Sequence, residues 1–149
     1  MMHEISETVR KFLNSQKLGY VATVSEQGMP NLSPKGTIIA WNANTLAFAD
    51  IRSPNTVKNL EKNPYLEINV VDPIVRKGFR FSGLGSIIRK GQTYDSILNH
   101  YRQIGVKSPI GAIIIVEISK IQEITSPLYD LGFSEGEIKE KWKKHLLDS

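Results

Sequence analysis

Apolar residues at Ile5, Val9, Phe12 and Leu13 form one stripe at helical spacing, which predicts a helix over about Glu4–Gln16. The period then changes. Leu18–Ser25 is rich in β-branched residues and runs into Glu26-Gln27-Gly28, a hairpin-like loop with glycine where a positive φ is needed. Asn31–Trp41 reads as a second, long strand that closes at the turn cluster Asn42-Ala43-Asn44, and Thr45–Asp50 reads as a third. The chain therefore opens with a helix followed by an antiparallel meander.

Ser53 and Pro54 have the chemistry of an N-cap and a first helical residue, so a short helix starts there. It ends near Asn63, because Pro64 disfavours helical geometry in the residue before it. Tyr65–Val71 is then a strand, Asp72-Pro73 a turn, and Gly78–Ile88 a longer strand whose Gly83 and Gly85 suggest bending. Thr93–Gln103 carries Tyr94, Ile97, Leu98 and Tyr101 on one helical side. Ala112–Ile124 opens apolar on both faces, as a central strand does. Ser134 and Glu137 make a capping box ahead of a helix with Ile138, Trp142 and Leu146 on one stripe. Six strands with mainly antiparallel links and three or four peripheral helices predict a mainly β, barrel-based fold. Neither a repeat nor a linker divides the chain. One domain over residues 1–149 is expected, with a helical tail over about 126–149 as its one appendage.

Composition narrows the chemistry. A chain of 149 residues, 40% hydrophobic and 23% charged, suits an ordinary folded domain rather than a disordered segment. With no cysteine, disulfides, thiol catalysis and cysteine-ligated metals are excluded. The apolar run Ile110–Ile118 is about half the roughly 20 residues a membrane span needs, and it contains Gly111 and Glu117. The start lacks the basic-then-apolar order of a signal peptide, so a cytoplasmic protein without a membrane partner is expected. A net charge of +4 permits an anionic partner without naming one. The lysines are scattered apart from Lys139, Lys141, Lys143 and Lys144, which a solvated helix face explains better than nucleic-acid binding.

Catalytic constellations are missing. His3, at the edge of the first predicted helix, and His100 and His145, in two others, show no ligand spacing, and Gly83-x-Gly85 lacks a third glycine and sits inside a strand. No side chain is assigned as catalytic or metal-binding. The second strand is more informative, because Ser33, Lys35 and Thr37 alternate with period two and share a face. Two hydroxyls and an ammonium can hold a phosphate, although the same row also describes a solvated sheet face. Farther on, Asp50-Ile51-Arg52-Ser53-Pro54-Asn55-Thr56-Val57-Lys58 runs from a strand into a helix start. Exposed N–H groups and the helix dipole favour an anion there, with Arg52 and Thr56 to strengthen it. Ordinary capping by Ser53 beside a stray arginine gives the same string.

In this order and spacing, "LGYVATVSEQGMPNLSPKGTI", "LAFADIRSPNTVKNLEKNPYLEINVV" and "GFRFSGLGSII" resemble the pyridoxamine 5′-phosphate oxidase-like flavoproteins. Those are FMN-binding split β-barrels, usually homodimers. The resemblance covers about Glu4 to Ile124 and implies a six-stranded antiparallel FMN-binding split β-barrel. It also implies an FMN-dependent oxidoreductase or electron carrier, with the flavin at a homodimer boundary. Carried over, the cofactor contacts fall on Ser33, Lys35, Gly36 and Thr37 of the second strand and on Ala49, Asp50, Arg52 and Ser53 after the third. Thr56 and Lys58 at the helix start and Arg80 on a later strand complete them.

Two positions depart from the family pattern: Thr56 stands where a lysine is common, and Gly78 where a glutamine is. The Arg-Leu-x-Pro-like C-terminal segment of the oxidase itself is missing. Relatives that carry a deazaflavin or haem keep a second reading open, a non-catalytic binding module for flavin, deazaflavin or haem. If FMN binds, the small Ala47 and Ala49 would let a flat ring approach the sheet, its polar edge meeting N–H groups near Thr37 and Ala49-Asp50. With no residue suited as acid or base, hydride or electron transfer without an obligatory proton donor is expected. The two-faced apolar strand Ala112–Ile118 points to a second copy of the chain as its cover.

Overall fold

The computed structural model describes residues 3–148. Met1, Met2 and Ser149, which the expected single domain includes, lie outside the described residues. Along the chain come α1 (Glu7–Ser15), β1 (Gly19–Val24), β2 (Pro30–Lys35), β3 (Ile39–Ala40), β4 (Thr45–Asp50) and α2 (Pro54–Lys62). Then follow β5 (Tyr65–Asp72), β6 (Lys77–Ile88), α3 (Gln92–Gln103), β7 (Ala112–Thr125), a 3₁₀ turn at Pro127–Tyr129 and α4 (Glu135–Leu147).

The strands form one antiparallel sheet in the order β2-β1-β5-β6-β7-β4-β3. β2 and β3 are thus consecutive in sequence but stand at opposite edges. Flat, seven strands would hold those edges about 29 Å apart, whereas the three residues between them reach about 14 Å at most. The sheet must curl until its edges nearly meet. This is a split barrel, and its seam is Gly36-Thr37-Ile38. The seam also accounts for the strand count of seven rather than the expected six. Asn31–Trp41 is not one strand, because the chain has to leave the first edge at Lys35 and rejoin the sheet at Ile39.

Inside the curl, Val21, Ile68, Val70, Phe81, Ile114, Val116 and Ile118 meet Leu46 and Phe48 of β4. α1 adds Ile5, Val9 and Leu13 to this core, and α2 adds Val57 and Leu60. Ser6 caps α1 by accepting from the Val9 N–H at 3.2 Å. Arg10 ties the helix to the β3 edge, donating to the carbonyls of Ala40 at 3.3 Å and Asn42 at 2.9 Å. A bulge at Ser82/Gly83 lets the long β6 bend, and glycine is required there because a Cβ would overlap the Glu117 carbonyl across the strand pair.

The outer face of β4 and β7 is covered by α3, whose Ile97 and Tyr101 pack on Ala47, Ala49 and Ile113. Burying each such large side chain contributes roughly 1.5–3 kcal/mol. β4 and the first half of β7 are therefore apolar on both faces because this chain covers both. That removes the argument for a partner copy from Ala112–Ile118. The C-terminal helix has the expected cap, with Ser134 Oγ accepting from the Glu137 N–H at 3.2 Å and Glu137 Oε1 accepting from the Ser134 N–H at 3.1 Å. Of its expected stripe only Ile138 is fully buried, and Leu146 is exposed.

Candidate functional site

The two ends of the seam bring Lys35 and the start of α2 together. Lys35 closes β2 opposite Gly19, with its side chain on the inner face and only 7% exposed. Its Nζ donates to Ser53 Oγ. Ser53 in turn donates its N–H to Asp50 Oδ1 at 3.1 Å and its hydroxyl to the same oxygen at 3.2 Å. The ammonium also lies 6.0 Å from the centre of the Phe48 ring. Burial pushes the Lys35 pKa below its ordinary value, and the Asp50 carboxylate only partly restores it. A cation has been placed where water solvates it poorly.

Because Ser53 turns toward Asp50 and Lys35, its side chain makes no cap bond to α2. Pro54 occupies the first helical position and has no N–H to offer. The first turn holds no acidic side chain. Thr56 is fully buried in that turn, and its Oγ1 has no hydrogen-bond partner. A buried hydroxyl left unsatisfied costs about 1–3 kcal/mol, so native folds rarely keep one without a use. An uncapped helix start, an unpartnered hydroxyl and a desolvated ammonium fit a bound anionic group such as a phosphate.

Not every expected contact gathers here. Lys35, Asp50 and Ser53 do, at the end of β2 and the α2 start; Thr56 is buried in the first turn of that helix, and Thr37 is bonded to the Ala49 N–H, next to Asp50 along β4. Ser33 faces inward two residues earlier on β2, half-buried opposite Val21, and Gly36 is exposed at the bend. Arg52 is exposed beside Ser53. Lys58 points instead into a separate cleft of about 320 Å³ between α2 and the β1–β2 loop, lined also by Asn31, Asn55 and Lys62. Arg80 is on the far side of the sheet, where its Nε donates to Asn69 Oδ1 at 2.9 Å beside Tyr20 and Leu32.

The expected approach of a flat ring over Ala47 and Ala49 is closed. Both alanines are 0–1% exposed beneath α3, and the Ala49 N–H already donates to Thr37 Oγ1 at 3.0 Å. Their small size serves helix packing. Two polar links escaped the sequence reading. Tyr101, read only as part of an apolar helix side, donates its hydroxyl to the Thr37 carbonyl at 2.7 Å. Asn59, on the buried side of α2, donates to Thr23 Oγ1 at 3.0 Å and fixes the helix against β1. Tyrosine rather than phenylalanine on a buried α3 stripe was the available signal for the first. Among the described residues, no cluster of three His, Cys, Asp or Glu side chains is placed to hold a metal ion, and no helix is long and apolar enough to cross a membrane.

Residues 5–124 match the pyridoxamine 5′-phosphate oxidase family. The chain belongs to that family. The match runs from before α1 to the end of β7 and leaves α4 outside. Among solved structures, the chain is similar to HupZ of Group A Streptococcus at 30% identity and a TM-score of 0.74, covering 82% of this chain and 95% of that one. It is similar in fold to an FMN-binding protein of Syntrophomonas wolfei, at 18% identity and a TM-score of 0.71 over 80% of this chain and 86% of the other. It also resembles HutZ, the heme storage protein of Vibrio cholerae, at 17% identity and a TM-score of 0.63 over 83% and 95%. No curated protein matches the sequence.

Proposed function

We propose that the protein is an FMN-binding flavoprotein acting as an oxidoreductase or electron carrier. The observation that carries this reading is an uncapped helix start with an unpartnered Thr56 hydroxyl in its first turn, whose N-cap residue Ser53 takes the bond of the desolvated Lys35 ammonium. A phosphate monoester there would satisfy the hydroxyl, the free N–H groups and the cation together. The FMN-binding neighbour from Syntrophomonas wolfei supports the choice of anion. When bound, the flavin supplies the hydride or electron chemistry. The chain's own part is to fix the phosphate with Lys35, Ser53 and Thr56, while Arg52 adds an exposed positive charge at the mouth.

A second copy of the chain completes this reading. The outer face of β2, β1, β5 and β6 leaves Leu32 66% and Tyr20 43% exposed beside Arg80, and Tyr65 68% exposed farther along β5. Covering that face with a partner would carry Arg80 toward the partner's cofactor, which its position in one chain does not allow.

One observation favours a different class of ligand. Thr56 is uncharged where the family commonly has a lysine, and the HutZ neighbour is a heme storage protein. A non-catalytic module for haem or a deazaflavin follows from that. Titration of the purified protein with FMN, riboflavin and haemin decides between them. The flavoprotein reading expects FMN to bind at least tenfold more tightly than riboflavin and to be reducible while bound. Tight haemin binding with no preference for FMN would overturn it.

A further inference from the structure

The seam of the split barrel is held from outside. Thr37 sits midway between the two sheet edges and belongs to neither strand. Its side chain accepts from the Ala49 N–H of β4, and its carbonyl accepts from Tyr101 of α3. Tyr101 is fully buried, and its own carbonyl accepts from the Val106 N–H at 2.9 Å, which fixes the end of α3. The seam residue is thus pinned on both sides, two positions from Lys35 on one strand and one position from Asp50 on the other.

We infer that Tyr101 is a positioning residue for the anion pocket: its hydroxyl, through the Thr37 carbonyl, sets the seam that aims Lys35 at Ser53. This rests on the FMN reading above. The bond matters because β2 ends at Lys35, and beyond that residue no ladder bond fixes the chain until Ile39. With the Thr37 carbonyl released, the seam is held only by the Thr37 Oγ1 bond to the Ala49 N–H and by the buried Ile38, so the end of β2 is fixed less tightly. Phenylalanine at position 101 keeps the packing of α3 and removes only the donor. A buried hydrogen bond of this kind is worth about a factor of ten in an equilibrium it controls.

The test compares FMN and riboflavin affinity in wild type, Tyr101→Phe and Ile97→Val. The Ile97 variant loosens the same helix packing without touching the seam. Amide exchange at Ala49 is measured in all three. The inference expects Tyr101→Phe to lower the FMN-to-riboflavin affinity ratio about tenfold and to speed exchange at Ala49, with Ile97→Val leaving the ratio unchanged. It is overturned if wild type prefers FMN and Tyr101→Phe keeps the same preference, or if Ile97→Val lowers the ratio equally. If wild type itself shows no preference for FMN, the phosphate reading fails and the cofactor role of Tyr101 falls with it. Ala49 exchange still shows in that case whether Tyr101 holds the seam.

Discussion

The Arg76 guanidinium carbon lies 3.5 Å from the centre of the Trp142 ring, so the C-terminal helix is pinned by a cation placed over its one tryptophan. Arg76 closes the β5–β6 turn with φ 58°, the left-handed region that L side chains avoid at a cost of about 1–2 kcal/mol. An arginine in such a position is explained by the stack, which is worth about 0.5–2 kcal/mol. The two terms separate by substitution. Arg76→Ala loses the stack and keeps the strained backbone, whereas Arg76→Gly loses the stack and relieves the strain. The glycine variant should be more stable than the alanine variant by about 1 kcal/mol in urea unfolding. Equal stabilities would show that position 76 leaves the left-handed region once the arginine is gone, so that the stack, and not the turn, dictates this conformation.

The whole tail is anchored through the same turn. Tyr129 donates its hydroxyl to the Val75 carbonyl at 2.6 Å, and Lys77 pairs with Glu135 at 3.1 Å. That ion pair is solvent-exposed and adds little. The burial of Ile138 matters more, since emptying such a site costs about 2–5 kcal/mol. Truncation after Pro127 should therefore lower the unfolding free energy by several kcal/mol. Flavin affinity should not change, because the tail's bonds go to Val75, Arg76 and Lys77 rather than to the α2 start. A truncated protein that melts like wild type would make α4 a dispensable surface helix.

How far these features could be read from the chain depends on range. Ser53-Pro54 and Ser134-Glu137 mark helix starts locally, and both helices begin there, whereas the first helix starts at Glu7 behind its Ser6 cap, later than the expected Glu4. Gly28 in the first hairpin has the positive φ its position demands. The seam was not legible, because nothing in Asn31–Trp41 says that its two halves lie on opposite edges; only the sheet order forces the break. The same order hid the role of Ala47 and Ala49. Small residues on a strand admit a ligand or a helix equally well, and α3 occupies the space. At the site, the family resemblance and not the residue pattern grouped Lys35, Ser53 and Thr56, and period two cannot show that Lys58 and Arg80 face elsewhere.

Thr56 offers a test in which stability and binding move in opposite directions. Its hydroxyl is buried and unpartnered in the free protein, so Thr56→Val removes a desolvation cost while keeping the shape. The variant should be about 1 kcal/mol more stable than wild type without ligand. Its FMN affinity should fall severalfold while riboflavin affinity stays the same. Loss of stability in the variant would mean that the hydroxyl has a partner in solution and is not held open for a ligand.

Lys35 makes the same trade through charge. Its folded pKa lies below its ordinary value, chiefly from burial, with Asp50 opposing. Between that lowered value and the unfolded value near 10.4, the unfolded chain holds a proton that the folded chain has released. Stability therefore rises as pH climbs through that window, and the burial penalty is fully present below it. Lys35→Met removes the titrating group and fills the same space with an apolar chain of similar length. Urea unfolding from pH 7 to 10 should show wild type gaining stability with pH relative to the variant, and the variant at least matching wild type at pH 7. In the FMN titration the order reverses, with Lys35→Met losing roughly ten- to hundredfold in affinity through the missing charge-assisted bond. A variant that is less stable at pH 7 and binds FMN normally would assign the ammonium to the fold through Ser53 and Asp50, not to the ligand.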